Sequence, residues 1–214
     1  MKKIIFLSIA VFYIQIFSYA QDTEQKAKDI LSEISSQTSS YENMTFDFTL
    51  GIKSQDINEV QNGKAIISEN NFYYQTSDRE VISNGTSVWT YMKEDNECYI
   101  DDINDISEDL NPSEIMTIWE DNFKVNYIDE VISNEQTLQR IKLYPIDVKN
   151  SKYHTVILKV NQAEKQVHSA IIKTKDGVTL SFKIKDLLAN QKIKENQFKW
   201  NPSLFPAVEE IDNR

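Results

Sequence analysis

The stretch Val81–Asp102, VISNGTSVWTYMKEDNECYIDD, decides the fold class of this chain. Residues 88–92 and 98–100 are rich in β-branched and aromatic side chains, which favour strands. The polar run 93–96 between them has the composition of a turn. Asn84-Gly85 is a strong hairpin signal, because both residues tolerate a positive φ. The stretch therefore predicts antiparallel strands joined by tight turns.

The same pattern continues on both sides of this stretch. Phe46–Ile52 alternates between apolar and polar residues with a period of two, as expected for a strand with one buried face. Further strands are predicted at 64–68, 72–76, 80–83, 139–144, 153–160, 167–173 and 178–185. Short polar turns separate them, and no crossover helices suggest a parallel sheet. The spacing predicts an antiparallel meander that curls towards a barrel.

Two helices are predicted beside the strands. Residues 21–40 carry an apolar stripe with the spacing of an amphipathic helix, formed by Ala27, Ile30, Leu31 and Ile34. A shorter helix is predicted from Pro112 to about Glu120, because Asn111 can cap it and proline suits the first helical position. Its apolar edge consists of Ile115, Ile118 and Trp119.

The first twenty residues have the pattern of a secretory signal peptide. A basic start at Lys2-Lys3 is followed by an apolar run from Ile4 to Phe17 and a small-residue site that ends at Ala20. The run is shorter than the roughly 18 residues expected of a membrane-spanning helix, which disfavours an anchor. The next residue, Gln21, is not a lipid-modified cysteine. We therefore expect a cleaved signal peptide at 1–20, a single domain at 21–214 and export to the periplasm.

Composition and charge exclude several classes of function. The formal charge is −10, and it becomes two units more negative once Lys2 and Lys3 are removed, which disfavours nucleic acid and anionic lipid as partners. Cys98 is the only cysteine and is expected to be a small core residue. His154 and His168 lack any metal-ligand spacing, and the four glycines form no phosphate loop. We expect no enzyme activity, no metal and no cofactor, and we interpret the acidic segment 101–109 as a solvated loop rather than a calcium site.

The order of these pieces resembles the outer-membrane lipoprotein carrier (LolA) family. The resemblance rests on Ile82-Ser83-Asn84-Gly85 followed by Trp89-Thr90-Tyr91, the leading amphipathic helix, the Asn-Pro helix start, Ile171–Gly177, Phe182–Ile184 and Phe198–Trp200. It implies a mainly β (α+β) fold, an incomplete antiparallel β-barrel (half-barrel) with a helical lid over its concave apolar face. It also implies a periplasmic carrier that ferries acylated lipoproteins from an inner-membrane ABC transporter to the outer membrane. We expect a monomer, and the outer-membrane acceptor is unknown.

One departure from the family concerns the lid. Members often have an Arg-Pro pair after the second strand, and that arginine helps hold the lid closed. Here the corresponding stretch is Ser68-Glu69-Asn70. Arg79 is one candidate to replace the missing arginine.

The resemblance and the strand pattern together predict a set of lipid-binding residues. They are Phe46, Phe48, Leu50, Ile52, Phe72, Tyr74, Trp89, Tyr91, Ile115, Ile118, Trp119, Leu180, Phe182 and Ile184. Two alternatives stay open. The half-barrel is also compatible with a periplasmic module that senses lipids or lipoproteins. The apolar strand face is equally compatible with an ordinary packed core that has no cavity.

Overall fold

The structure, a computed structural model, describes residues 22–105, 115–120, 122–133 and 135–214. A helix, α1, covers residues 22–39. The strands are β1 (Met44–Lys53), β2 (Asn58–Ser68), β3 (Asn71–Gln75), β4 (Arg79–Ser83), β5 (Ser87–Met92), β6 (Glu97–Asp102), β7 (Phe123–Ser133), β8 (Gln136–Pro145), β9 (Tyr153–Asn161), β10 (Gln166–Thr174), β11 (Thr179–Ala189) and β12 (Glu209–Asp212). A 3₁₀ turn, Pro202–Leu204, precedes β12.

All twelve strands belong to one sheet. Their order is β12-β6-β5-β4-β3-β2-β1-β11-β10-β9-β8-β7. Neighbouring strands are antiparallel except for β12, which pairs parallel to β6. Within the described ranges, the end strands β7 and β12 do not pair with each other, so the sheet is open. The predicted mainly β, incomplete barrel is confirmed.

Strand register determines which side chains share a face. Phe46 of β1 lies opposite Ala65 of β2, which lies opposite Tyr74 of β3. Because paired residues point to the same side of a sheet, these side chains share one face. The buried stripe of α1 belongs to the same apolar cluster, so α1 covers this face, which we call the concave face. It carries most of the protein's buried apolar side chains.

The opposite, convex face has a smaller apolar cluster near β5 and β6. Ile82, Trp89 and Ile100 lie opposite one another on β4, β5 and β6. The C-terminal segment covers this cluster, since the Tyr91 ring lies 4.5 Å from the Phe205 ring and 6.0 Å from the Trp200 ring. Cys98 is fully buried, as predicted.

The two predicted glycine hairpins are confirmed. Gly85 has a φ of 81°, and the side chain of Asn84 accepts hydrogen bonds from the backbone N–H groups of Thr86 and Ser87. Gly177 has a φ of 90° in the turn between β10 and β11. Asp176 does not share the positive φ that was expected for both residues of that turn.

The structure differs from the predicted elements in four places. β2 begins at Asn58, six residues before the predicted start, and β7 is a full strand of 11 residues. β12 was not predicted, because four acidic and apolar residues after two prolines carry little strand signal. Of the predicted helix that starts at Pro112, residues 112–114 lie outside the described residues. Ile115 is helical and residues 116–119 form a turn.

Candidate functional site

Three phenylalanine rings form the centre of the concave face. Phe46, Phe48 and Phe182 are at most 2% exposed. The rings of Phe48 and Phe182 are stacked with centroids 5.1 Å apart, and Phe46 meets both edge-on at 6.5 and 6.4 Å. A Cβ at Gly63 would lie 2.3 Å from the Phe48 ring and 2.6 Å from the Gln75 carbonyl oxygen. Glycine at this position therefore lets the Phe48 ring lie across β2.

A cavity of ≈ 350 Å³, cavity A, begins at this cluster. Its apolar lining consists of Phe48, Leu50, Ile52, Tyr74, Ile115, Val178, Leu180 and Phe182. Leu50, Ile52 and Leu180 are only partly buried, so the cavity reaches towards the surface at the β10–β11 turn. Its volume lies at the small end of the roughly 300–1,000 Å³ typical of ligand pockets.

The mouth of cavity A is polar, and hydrogen bonds hold its carboxylates. Arg79 and Asp176 both line it. Burial acts to raise the pKa of the neighbouring Asp78, but hydrogen bonds from Thr76 and Arg79 outweigh burial and lower it. A hydrogen bond from Thr174 is the main cause of the lowered pKa of Asp176. The mouth thus has charges of both signs, and its carboxylates stay ionised.

Residues 115–120, the lid segment, pack over the concave face. Ile115, Met116 and Trp119 are buried in the same apolar cluster as α1, and Ile118 is partly buried against it. The indole Nε1 of Trp119 donates a hydrogen bond of 2.8 Å to Ser35 Oγ on α1. The lid segment and α1 therefore form one cover.

A second cavity, cavity B, lies on the other side of the lid segment and has ≈ 510 Å³. Its apolar lining consists of Tyr41, Met44, Ile67, Phe72, Ile103 and Met116. Its polar lining consists of Thr38, Ser39, Glu42, Asn43, Glu69, Asn70 and Thr117. Glu69 and Asn70 belong to the stretch where the family arginine was expected, so a carboxylate and an amide stand beside the lid segment instead.

Most of the predicted lipid-binding residues lie together on the concave face. Phe46, Phe48, Phe72, Ile115, Trp119, Phe182 and Ile184 are buried in the main apolar cluster. Leu50, Tyr74, Ile118 and Leu180 are partly buried against it, and Ile52 lines cavity A.

Trp89 and Tyr91 are the exceptions, because the structure places them apart from the rest of the predicted set. Trp89 lies opposite Ile82 and Ile100, and Tyr91 lies opposite Cys98, all on the convex face. The prediction grouped them with the concave residues, because alternation along a strand does not reveal which of the two alternating sets of side chains faces the lid. Val88, the residue before Trp89, is fully buried on the concave side.

Several residues around the cavities were missed by the sequence analysis. Asp176 and Val178 line the mouth of cavity A, beside Arg79, which was proposed only as a lid residue, and Met44 and Met116 line cavity B. The mouth residues lie in or beside turns, which carry no periodic apolar signal. Met44 continues the alternation of Phe46 and Phe48 by one step, and that signal could have identified it.

Comparison with known proteins agrees with this architecture. The family model described as outer membrane lipoprotein carrier protein LolA matches residues 39–201. The chain belongs to the LolA family. The matched range includes β1 to β11, the lid segment and the described lining of both cavities except Thr38. No curated protein matches this sequence.

Two solved structures share the fold at low sequence identity. An uncharacterized conserved protein from Thermus thermophilus has a TM-score of 0.59 and 12% identity, over 87% of this chain and 99% of that one. LprF from Mycobacterium bovis has a TM-score of 0.51 and 8% identity, over 81% and 98%.

Among the described residues, no helix has both the length and the apolar character needed to cross a membrane. The same residues contain no group of three or more His, Cys, Asp or Glu side chains arranged to hold a metal ion.

Proposed function

We propose that this protein is a periplasmic carrier that binds the acyl chains of lipoproteins and ferries them from the inner to the outer membrane. The observation that carries the proposal is cavity A, an apolar cavity between an open sheet and the lid segment, in a member of the LolA family. The residues proposed to contact acyl chains are those of the predicted set that lie on the concave face. We also propose export by the segment 1–20, a single carrier domain at 21–214, and no enzyme activity.

The chemistry of the lining supports an acyl ligand. Most of the described lining of cavity A consists of hydrocarbon and aromatic side chains, and its polar residues are Gln61, Thr76, Arg79, Thr174 and Asp176. Hydrocarbon gains about 25 cal/mol per Å² of apolar surface removed from water, without directed contacts. A cavity of this kind therefore binds by chain length and shape, and a polar head stays near the mouth.

The size of cavity A requires the lid to move. Three acyl chains of about sixteen carbons exceed a pocket at the low end of the drug-sized range. Ile115 lines cavity A, so displacement of the lid segment enlarges the cavity directly. The hydrogen bond between Trp119 and Ser35 joins the lid segment to α1. The lid segment and α1 therefore move together as one cover.

Energetics explain why such a carrier needs partners. At ~0.8 kcal/mol per buried CH₂, three such chains are held in a bilayer by on the order of 35 kcal/mol. Non-covalent binding rarely exceeds roughly 20 kcal/mol. The carrier therefore has to be loaded by an energy-consuming partner, which we propose is an inner-membrane lipoprotein-releasing ABC transporter, and unloaded at an acceptor.

A matched pair of substitutions on β11 tests the acyl site. Leu180 lines cavity A, whereas Leu188 lies opposite Thr45 on the convex face and is 53% exposed. We expect Leu180→Glu to abolish binding of N-phenylnaphthylamine, a neutral apolar fluorophore, because it places a charge where hydrocarbon binds. Leu188→Glu adds the same charge and should leave binding unchanged. Equal binding by the two variants, both still folded by thermal melting, would contradict the acyl site.

The cargo is tested on protein recovered from its own periplasm without detergent. Native mass spectrometry should find a species cleaved after Ala20 with a bound acylated protein, and this complex should disappear in Leu180→Glu. Bound free lipid without acylated protein would instead favour the lipid-sensing module. An empty protein that also fails to bind the fluorophore would favour the packed core.

A further inference from the structure

Cavities A and B flank the same two lid residues. Ile115 lines cavity A, and the next residue, Met116, lines cavity B. The floors of the two cavities are adjacent on strand β3. Phe72 lines cavity B, and Tyr74, two residues further along the strand, lines cavity A. The rings of Phe72 and Tyr74 are stacked with centroids 6.4 Å apart. One amphiphilic molecule can therefore reach both cavities when the lid segment is displaced.

The two cavities differ in polarity. Cavity A has a mainly apolar wall, whereas cavity B combines an apolar floor with seven polar side chains. An acyl chain with a polar head needs both environments, one for the hydrocarbon and one for the head. The larger and more polar cavity B suits the junction between acyl chain and head, with hydrocarbon extending over the floor towards cavity A.

The charged residues of cavity B have one sign. Glu42 and Glu69 are the charged residues in its described lining, and both are exposed to solvent. The backbone of Glu42 is held beside the cavity, since its carbonyl oxygen accepts a hydrogen bond from Ser68 Oγ and its N–H donates to Asn190 Oδ1. Two carboxylates at this position repel an anionic head and tolerate a neutral or cationic one.

A nearby arginine does not reverse this balance. Arg214 donates to Ser87 Oγ at 3.1 Å, close to the turn that contains Gly85 of the cavity lining. Its guanidinium also makes two hydrogen bonds to the carboxylate of Asp212, at 2.9 and 2.7 Å. The Asp212 carboxylate thus offsets the positive charge of Arg214.

We infer that cavity B is a selectivity site that admits the uncharged acyl–amide head of an acylated peptide and rejects the anionic head of a phospholipid such as phosphatidylglycerol. The inference rests on the proposed acyl-binding function and adds the class of head group. It gives the carrier a physical reason to discriminate lipoprotein from anionic phospholipid, because acyl chains alone are alike in the two.

The test is competition for bound N-phenylnaphthylamine between an N-palmitoyl peptide amide of neutral sequence and dipalmitoyl phosphatidylglycerol, both below their aggregation concentrations. The wild-type protein should prefer the acylated peptide. In Glu42→Lys/Glu69→Lys the ratio of the two affinities should shift towards the phospholipid by about tenfold, because two repulsions become attractions. The control, Glu94→Lys/Asp95→Lys, makes the same change of net charge in the β5–β6 turn, away from both cavities, and should leave the ratio near the wild-type value.

Each outcome decides between the two proposals. Equal affinity of the wild-type protein for both competitors overturns the selectivity inference and leaves acyl binding intact. Equal shifts in the two double-lysine variants assign selectivity to net charge and overturn the role of cavity B. Failure of both competitors to displace the fluorophore overturns the proposed function, and the inference with it.

Discussion

The two aromatic clusters of this protein lie on opposite faces of the same sheet and differ in what covers them. On the concave face, Phe46, Phe48 and Phe182 are almost completely buried beneath α1 and the lid segment. On the convex face, Tyr91 packs with Trp200 and Phe205 of the C-terminal segment, and all three keep partial exposure. A buried purely hydrocarbon cluster next to a cavity suits a ligand, whereas a half-exposed cluster with polar ring atoms suits a cover that closes a sheet face.

The difference predicts that the concave cluster contributes more to stability. Phe182→Ala should lower the free energy of unfolding by about 3–5 kcal/mol, the usual cost of removing a buried phenylalanine ring from a packed core. Urea denaturation followed by circular dichroism measures it. A loss below about 1 kcal/mol would mean that the three rings are not packed together in solution. Phe182→Leu, which keeps most of the apolar volume, is the control and should recover much of the loss.

The convex cluster should respond less, and without an effect on binding. Phe205 is only partly buried, so Phe205→Ala should cost about 1 kcal/mol. Because Phe205 lies on the face opposite cavity A, affinity for N-phenylnaphthylamine should stay at the wild-type value. Weakened fluorophore binding in a folded Phe205→Ala protein would show that the two faces are coupled and that the convex cluster belongs to the site.

The cover of the concave face can be tested at the hydrogen bond that joins the lid segment to α1. Ser35→Ala removes the acceptor for the Trp119 indole N–H and should cost about 1 kcal/mol. The substitutions Trp89→Phe and Trp200→Phe leave Trp119 as the only tryptophan. They should not disturb the concave face, because both residues lie on the convex side. The emission of Trp119 should shift on addition of N-palmitoyl peptide amide, and Ser35→Ala should move the ligand-free spectrum towards the bound one. An unchanged spectrum at saturating ligand would contradict a lid that moves.

The comparison also shows how far the sequence predicts this molecule. Alternation along β1 and β11, the two glycine turns and the stripe of α1 follow from local patterns, and the structure confirms them. The face of Trp89 and Tyr91 could not be predicted, because their phase depends on strand register and on which side α1 covers. β12 depends on a long-range parallel pairing with β6, and neither strand alone reveals it. Gly63 illustrates a third limit. Glycine is required at this position because the ring of Phe48 on the adjacent strand leaves no room for a side chain, and the local sequence does not show this.

Cys98 reports on the convex cluster through the ionisation of its thiol, an effect that is absent at neutral pH. Burial, followed by the charges of Glu210 and Asp101, raises the pKa of its thiol to about 12. Above about pH 8.5 an unfolded chain loses this proton while the folded protein keeps it. The unfolded state then binds fewer protons, so stability should fall as pH rises towards 12, and below about pH 8 the thiol should contribute no pH dependence. Subtracting the stability curve of Cys98→Ala isolates this contribution from the lysines and tyrosines that titrate in the same range.

The cover over Cys98 can be measured chemically on the same protein. Iodoacetamide at about pH 9, just above the ordinary pKa of a free thiol, should label Cys98 slowly in the native protein, because the thiol is buried and keeps its proton. Labelling should be faster in Phe205→Ala, where the cover over the convex face is weakened. Rapid labelling of the native protein would show that the C-terminal segment does not protect this face. The two aromatic clusters would then differ in the residues that form them, but not in how well they are covered.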